Sequence, residues 1–286
     1  MKPSHTSEPF GHFALPPQRE AIRLAADRAR DNRFGHWAIS LRRKRAIKGL
    51  SEPFDIDVAP GVKARLYPST NRCEKRALCG VQIWDAVERN ILQRAVTAHD
   101  TAEPFVFLDV GANVGLYSLF VSAYARRAGR ASRIIAVEPS TDIGARLRFN
   151  AVASSANIEH VDLAVSDHMG RAKLSTGGTN RGEGQLSDHG QAVEVVTLNA
   201  LCERLNVTRI DAMKLDIEGH DTQALTHFLT HAPEPLHPNI FIIERGSEKT
   251  LGDEQSHHSA LVELAKAKDY LLRDMTSLNA IFEKSR

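Results

Sequence analysis

Phe105-Val-Phe-Leu-Asp-Val-Gly-Ala-Asn-Val-Gly-Leu-Tyr-Ser-Leu119 is an apolar run that closes on an acid, breaks into small residues and resumes as a second apolar run. Val106, Phe107, Leu108 and Val110 favour strand and show no polar alternation, the pattern of a central parallel strand covered on both faces. A strand turning sharply into a helix is predicted, with Gly111 and Gly115 letting the backbone pass close to a ligand where a Cβ would clash. Loops at the carboxyl ends of parallel strands are where open α/β sheets bind ligands.

The glycine order narrows the ligand. A dinucleotide fingerprint needs G-x-G-x-x-G, whereas here Asn113 stands at the middle glycine and Leu116 at the last. Asp109, directly before the turn, repels a pyrophosphate and attracts a cationic amino group. A ligand carrying an ammonium, such as the methionine end of S-adenosylmethionine, therefore fits better than a nicotinamide dinucleotide.

Later strands repeat the arrangement. Arg133-Ile-Ile-Ala-Val-Glu-Pro139 is a second apolar run ending in an acid, and an acid at that place accepts hydrogen bonds from ribose hydroxyls. Pro139 and Ser140 follow beside the base, with Ser140 as the cap of the next helix. A third unit runs from Asn157 to Asp167, whose carboxylate could accept from an adenine amine, although Asp before a glycine-containing loop is also ordinary turn chemistry.

Ile210-Asp-Ala-Met-Lys-Leu-Asp-Ile-Glu-Gly-His-Asp221 is a fourth buried strand with Lys214, Asp216, Glu218 and His220 at its carboxyl end. Asp216 and Glu218 are two apart, so an extended backbone points them the same way. Neighbouring carboxylates raise one pKa, which suits a base that takes a proton from a hydroxyl. His220 is a competing base by its ordinary pKa. Asp216, Glu218 and Glu244 are oxygen donors of a kind that metals accept, but adjacent acids alone define no metal site, and none is assigned.

Composition fits an enzyme of this size. The chain has 286 residues, 42% of them hydrophobic, enough for one large domain or one domain with an extension. No apolar stretch approaches the ~20 residues that cross a bilayer, and the amino terminus lacks a signal-peptide core. Three cysteines, Cys73, Cys79 and Cys202, show no metal-ligand spacing, and a cytoplasmic setting is expected. Charge is uneven: residues 1–50 carry eleven Lys/Arg against four Asp/Glu, densest at Arg42-Arg-Lys-Arg45. That segment is read as a peripheral helix with a solvated basic face, the competing reading being a contact for an anionic partner or a membrane surface. It lacks the interleaved aromatics of a single-strand binding surface, and no nucleic acid is expected.

Outside the core, the first ~15 residues are expected to be disordered. A helix is predicted from Pro17 to about Asn32, a hairpin over Phe54–Val58 and Val62–Tyr67, and a helix over Val81–His99. Arg171–Thr176 and Ala192–Thr197 flank a glycine-rich loop, Gly177–Gly190, that loops of its kind close over ligands. Asn239–Glu244 is a fifth strand, His258–Lys268 a helix, and Tyr270–Met275 with Asn279–Glu283 a closing hairpin.

Four segments in this order, Asp109–Ser118, Val137-Glu-Pro-Ser140, Ala164-Val-Ser-Asp167 and Lys214-Leu-Asp-Ile-Glu-Gly219, resemble the FkbM family of S-adenosylmethionine-dependent methyltransferases. The likeness spans about residues 62–284, including the lead-in at Leu66–Asn71 and Trp84–Glu88. The resemblance implies a class I methyltransferase (Rossmann-like) α/β sheet in the order 3-2-1-4-5-7-6, mostly parallel with an antiparallel carboxyl-terminal hairpin strand. Residues 1–100 then form a helical and hairpin extension, and 101–286 the cofactor-binding domain. It implies S-adenosyl-L-methionine as cofactor, held by Asp109, Gly111, Asn113 and Gly115 at the methionine part, Glu138 at the ribose and Asp167 at the adenine; Ala112, Pro139 and Ser140 complete the cofactor-binding set. It also implies methyl transfer to a hydroxyl of a sugar, glycolipid or polyketide-like acceptor; the strand-end reading, not the resemblance, puts Asp216 or Glu218 nearest the chemistry. His220-Asp221 and Asn199 depart from the family's usual residues, and both lie outside the cofactor segments. The rival readings are a noncatalytic binding protein using the basic amino-terminal face and a nicotinamide oxidoreductase.

Overall fold

The computed structural model describes residues 6–175, 185–187, 190–217, 219–244 and 254–285. The chain opens with α1 (Pro17–Ala26), α2 (Arg33–Ile47), β1 (Phe54–Ala59), β2 (Val62–Leu66), α3 (Arg72–Leu78) and α4 (Ala86–Ala98). There follow β3 (Phe105–Val110), α5 (Leu116–Ala128), β4 (Ser132–Val137), α6 (Thr141–Ala153) and β5 (Ile158–Val161). Then come β6 (Ala164–Val165), β7 (Gly170–Ser175), β8 (Gln185–Ser187), β9 (Gln191–Val196) and α7 (Leu198–Arg204). The last part holds β10 (Ala212–Leu215), α8 (Asp221–His231), β11 (Ile240–Glu244), α9 (Glu254–Ala267), β12 (Tyr270–Met275) and β13 (Asn279–Lys284).

Seven strands form the main sheet in the order β12-β13-β11-β10-β3-β4-β5. Renumbered by their place within this sheet, the order is 3-2-1-4-5-7-6 read from β5, which is the class I methyltransferase arrangement. The β5, β4, β3, β10 and β11 strands are parallel, whereas β13 runs antiparallel to both β11 and β12. Phe107, Leu108, Ile135, Met213, Leu215, Phe241 and Ile243 are all buried, as strands covered on both faces require. Capping punctuates the helices: the Asn32 side chain accepts from Gly35 N, Ser140 Oγ from Ile143 N and Thr197 Oγ1 from Ala200 N. Gly129 closes α5 in the left-handed conformation.

Several expectations change. Residues 6–15 are packed against β1 and β2 rather than disordered. Gly11 N and Phe13 N donate to Asp55 Oδ2 at 2.7 and 3.0 Å, and Arg65 donates to the Glu8 and Pro9 carbonyls. Arg65 and Asp55 form a buried bidentate pair at 2.7 and 2.9 Å, with the guanidinium over the Phe13 and Phe149 rings. A buried carboxylate needs such partners, and the amino-terminal backbone supplies two of them. The first helix ends at Ala26 instead of running to Asn32, and Asn32 caps α2. Residues 81–85 are turns before α4, and α3 was not foreseen. The third unit splits after β5: Ala164–Val165 joins a separate four-stranded sheet, β6-β9-β7-β8. Most of the Gly177–Gly190 loop lies outside the described residues, apart from β8, which pairs with β7.

Arg42-Arg-Lys-Arg45 divides its work. Arg42 donates to the Ala25 carbonyl, tying α2 to α1, and Arg43 lines a cavity against α3, leaving Lys44 and Arg45 exposed.

Candidate active site

Parallel register sets Asp109 beside Lys214 at the carboxyl ends of β3 and β10. Beyond them the two loops clasp each other: Asp216 N donates to the Val110 carbonyl, and Gly111 N and Ala112 N share the Val137 carbonyl, each at 2.9 Å. A Cβ on Gly111 would stand 1.8 Å from the Asp216 carbonyl oxygen, and its φ is +78°. A Cβ on Gly115 would stand 2.9 Å from Leu147 Cγ. Both glycines are required by contacts within the protein, Gly111 by the neighbouring loop and Gly115 by α6.

A cavity of about 160 Å³ lies over this junction, lined by Asp109, Gly111, Ala112, Asn113, Asp216 and Glu244 together with Asp85, Tyr117 and Lys214. Asp109 is buried, and its Oδ2 accepts from Ser118 N at 3.0 Å and Ser118 Oγ at 2.6 Å. Burial pushes its pKa up to about 6, against those two bonds and the nearby Lys214 charge. Lys214 is 2% exposed, with Nζ 3.1 Å from Asp216 Oδ2 and 5.7 Å from the Tyr117 ring centroid. Burial works against its charge, but Asp216, Asp221 and Glu244 outweigh that and hold its pKa above the ordinary value.

Asn113 adopts φ +52°, a conformation Asn tolerates better than most residues. Its N–H donates to Glu138 Oε2 at 3.0 Å, and its Oδ1 accepts from Asn71 Nδ2 at 2.7 Å and Val114 N at 2.8 Å. Glu138 also takes Ser140 N at 2.9 Å, so this acid joins the turn after β3 to the start of α6. Burial lifts Glu138 to about 7, with the Ser140 and Asn113 amides pulling the other way. Pro139 offers its carbonyl to Gln191 Nε2 at 3.2 Å.

Asp167 stands apart. It follows β6 in the second sheet, 48% of its side chain is exposed, and it holds His168 Nδ1 at 2.8 Å and Ser166 Oγ at 3.1 Å. The His168 hydrogen bond keeps its pKa below the usual carboxylate range. It does not line the cavity, nor do Gly115, Glu138, Pro139 and Ser140. Glu218 lies outside the described residues. His220 Nδ1 is 3.4 Å from Ser166 Oγ, and Asp221 caps the 216–220 loop by accepting from Ile217 N and Gly219 N at 2.9 and 3.2 Å. Burial, with Asp216 adding to it, lifts Asp221 to about 6.

Sequence reading missed Asn71, Asp85 and Tyr117. Asp85 takes the Tyr117 hydroxyl at 2.9 Å from a left-handed backbone, φ +43°. Asn71 was findable: Asn71-x-x-Glu74 is a capping pattern, and Asn71 Oδ1 does accept from Glu74 N. Among the described residues, no three His, Cys, Asp or Glu side chains form a metal-holding group.

Four carboxylates line this cavity, Asp85, Asp109, Asp216 and Glu244, beside three basic side chains, Arg72, Arg76 and Lys214.

The model of the methyltransferase FkbM domain matches residues 109–272, more than half of the chain. No curated protein matches it. Similar solved structures include an S-adenosylmethionine-dependent methyltransferase of Agrobacterium tumefaciens at 15% identity and TM-score 0.41, the match covering 73% of this chain and 59% of that one. A precorrin-6y C5,15-methyltransferase of Geobacter metallireducens GS-15 is 12% identical with TM-score 0.39, covering 69% and 87%. A putative caffeoyl-CoA O-methyltransferase of Staphylococcus aureus is 10% identical with TM-score 0.45, covering 70% and 83%. By its matched domain, its four ordered segments and its strand order, the chain belongs to the FkbM family of methyltransferases, with S-adenosylmethionine as cofactor.

Proposed function

We propose that the protein is an O-methyltransferase acting on a hydroxyl of a sugar, glycolipid or polyketide-like acceptor. The observation that carries this reading is the cavity at the carboxyl ends of β3 and β10, where Asp85, Asp109, Asp216 and Glu244 stand among Arg72, Arg76 and Lys214, and which adjoins a larger cavity formed with α2, α3 and α4. S-adenosylmethionine supplies a methyl group on a sulfonium, and Asp109, Gly111, Ala112, Asn113 and Glu138 are the residues that would hold it, with Gly115, Pro139 and Ser140 shaping their loops. Asp167 is assigned to the adenine by family resemblance alone. The division near residue 100 into extension and cofactor-binding portion is part of the same proposal.

Most of the rate gain comes from alignment, because good orientation of reacting groups is worth ~7–11 kcal/mol. Proton removal adds about 100- to 10,000-fold. Asp216 and Glu218 are proposed to take the hydroxyl proton: Lys214 fixes Asp216 through Oδ2, leaving Oδ1 for the acceptor. Three unpaired cysteines, with burial pushing the Cys79 and Cys202 thiols up to about 12, agree with a reducing cytoplasm as the setting. Among the described residues no helix is long and apolar enough to cross a membrane.

Transfer of a labelled methyl group to a panel of sugar, glycolipid and polyketide acceptors tests the reading, with a methyl ether as the expected product. Methylation at nitrogen or carbon overturns it. With an acceptor in hand, Asp216→Asn and Glu218→Gln are each expected to lower turnover by about 100-fold or more and to remove the fall in turnover at low pH that protonation of a general base produces. A profile unchanged in either variant removes that residue from the role of base.

A further inference from the structure

Beside the cavity at the ends of β3 and β10 lies a second one of about 610 Å³, within the 300–1,000 Å³ range of small-molecule sites. Arg72, Arg76, Trp84, Asp85 and Leu278 line both, so the two are continuous. Both share Arg72, Arg76 and Asp85, while Asp109, Lys214, Asp216 and Glu244 line the smaller one alone. Arg43 from α2 and Lys75 and Arg76 from α3 face the larger cavity. Among the described residues none of the three makes a hydrogen bond or a close ion pair; Arg43 is half-buried, whereas Lys75 and Arg76 are exposed, and the Arg76 charge acts on Asp85.

The acids of the same wall are already engaged. Asp31 holds His36 Nε2 at 2.7 Å, and Asp85 accepts from Tyr117. Glu88 Oε1 accepts from Thr276 Oγ1 at 2.7 Å and Asn279 Nδ2 at 2.8 Å. Burial holds the Arg43 pKa below its ordinary value, and no carboxylate offsets it. A half-buried guanidinium without a counter-ion carries a desolvation cost that an incoming anion would relieve.

We infer that Arg43, Lys75 and Arg76 form a subsite for a phosphate or diphosphate group of the methyl acceptor, placed beside the methyl-transfer cavity. The inference rests on the methyl-transfer reading for the word acceptor, while the anion site stands on its own geometry. Cations from two helices, spread over one wall, match a group with several anionic oxygens better than a lone carboxylate. Arg76, shared by both cavities, marks the side from which the acceptor's hydroxyl approaches. Part of the basic segment at 42–45 thereby acquires a role that its surface-helix reading left out.

Titration calorimetry of the full chain with inorganic pyrophosphate, alone and with S-adenosylmethionine present, tests this. Wild-type protein is expected to bind pyrophosphate in a salt-sensitive way, and Arg43→Gln/Lys75→Gln to weaken that binding by about tenfold or more while cofactor affinity stays unchanged. Cofactor affinity also reports that the variant is folded. Competition by uridine diphosphate against competition by phosphatidylcholine vesicles carrying phosphatidic acid separates a soluble phosphate from a lipid headgroup. If wild-type protein binds cofactor but no pyrophosphate, or the double variant binds pyrophosphate equally well, the subsite is overturned and methyl transfer stands. If pyrophosphate binds and cofactor does not, methyl transfer falls and the anion site survives.

Discussion

Gly111 shows how one missing methyl group positions two loops. Its left-handed backbone alone costs another residue ~1–2 kcal/mol, and the Asp216 carbonyl 1.8 Å from the would-be Cβ adds a clash with main chain that no rotamer relieves. Gly111→Ala is expected to lower unfolding free energy by more than that strain and to abolish cofactor binding, measured by urea denaturation and equilibrium dialysis. Wild-type stability in the variant would mean the loops are not clasped as described. The position was legible in sequence as a glycine before a helix, and Asp109, Asn113 and Asp216 were legible as small or acidic residues at strand ends. The partner was not, since the residue that excludes a side chain lies over a hundred positions away and is a carbonyl, which every residue carries. Asp85 was hidden for a related reason: it reads as one more acid within the helix expected over Val81–His99, whereas the chain turns there and brings it to the cavity beside Tyr117.

Elements with strong periodicity were legible as whole strands and helices, whereas short ones were not. α3 has seven residues, too few for an apolar stripe, and it is held instead by its Asn71 cap and by Glu74 against Arg146 of α6 at 3.2 Å. Burial raises Glu74 to about 7, and Arg146, stacked 3.9 Å over the Tyr67 ring, opposes that rise. Removing one member of a buried pair leaves a bare charge, so Arg146→Met is expected to cost ~3–5 kcal/mol in urea denaturation. Adding Glu74→Leu should recover most of the loss, because no charge is then left buried. A double variant as unstable as the single one would show that the pair acts through packing alone. Asp162-Leu163 likewise turns the chain between β5 and β6, a two-residue step too small to read as a strand end, and it carried Asp167 away from the main sheet.

Across the whole molecule, buried acids set the response to pH. Glu74 and Glu138 stand near 7, Asp109 and Asp221 near 6, all raised by burial. Carboxyl groups with folded pKa values above their unfolded ones bind more protons in the native state. Their contribution to stability is complete below the ordinary carboxyl range near 4 and is lost as pH rises through 6 and 7. Melting temperature is accordingly expected to be higher at pH 6 than at pH 8. A cationic ligand beside Asp109 and Glu138 favours their ionised forms, so cofactor binding at pH 6 should release protons. Calorimetry in buffers of different ionisation enthalpy would then give different apparent binding enthalpies, and identical values would contradict the placement.

The Glu74–Arg146 pair also bears on how acceptor preference can be inherited. Glu74 precedes the matched domain and Arg146 lies inside it. The helix that carries Lys75 and Arg76 is therefore not a cassette that can be moved alone between relatives. A chimaera joining residues 1–100 of this chain to another member's remainder needs a recipient with an arginine at the α6 position, or it inherits a buried acid with no counter-charge. Descent should pass α3 and α6 on as a unit, even though one lies outside the segment by which the family is recognised.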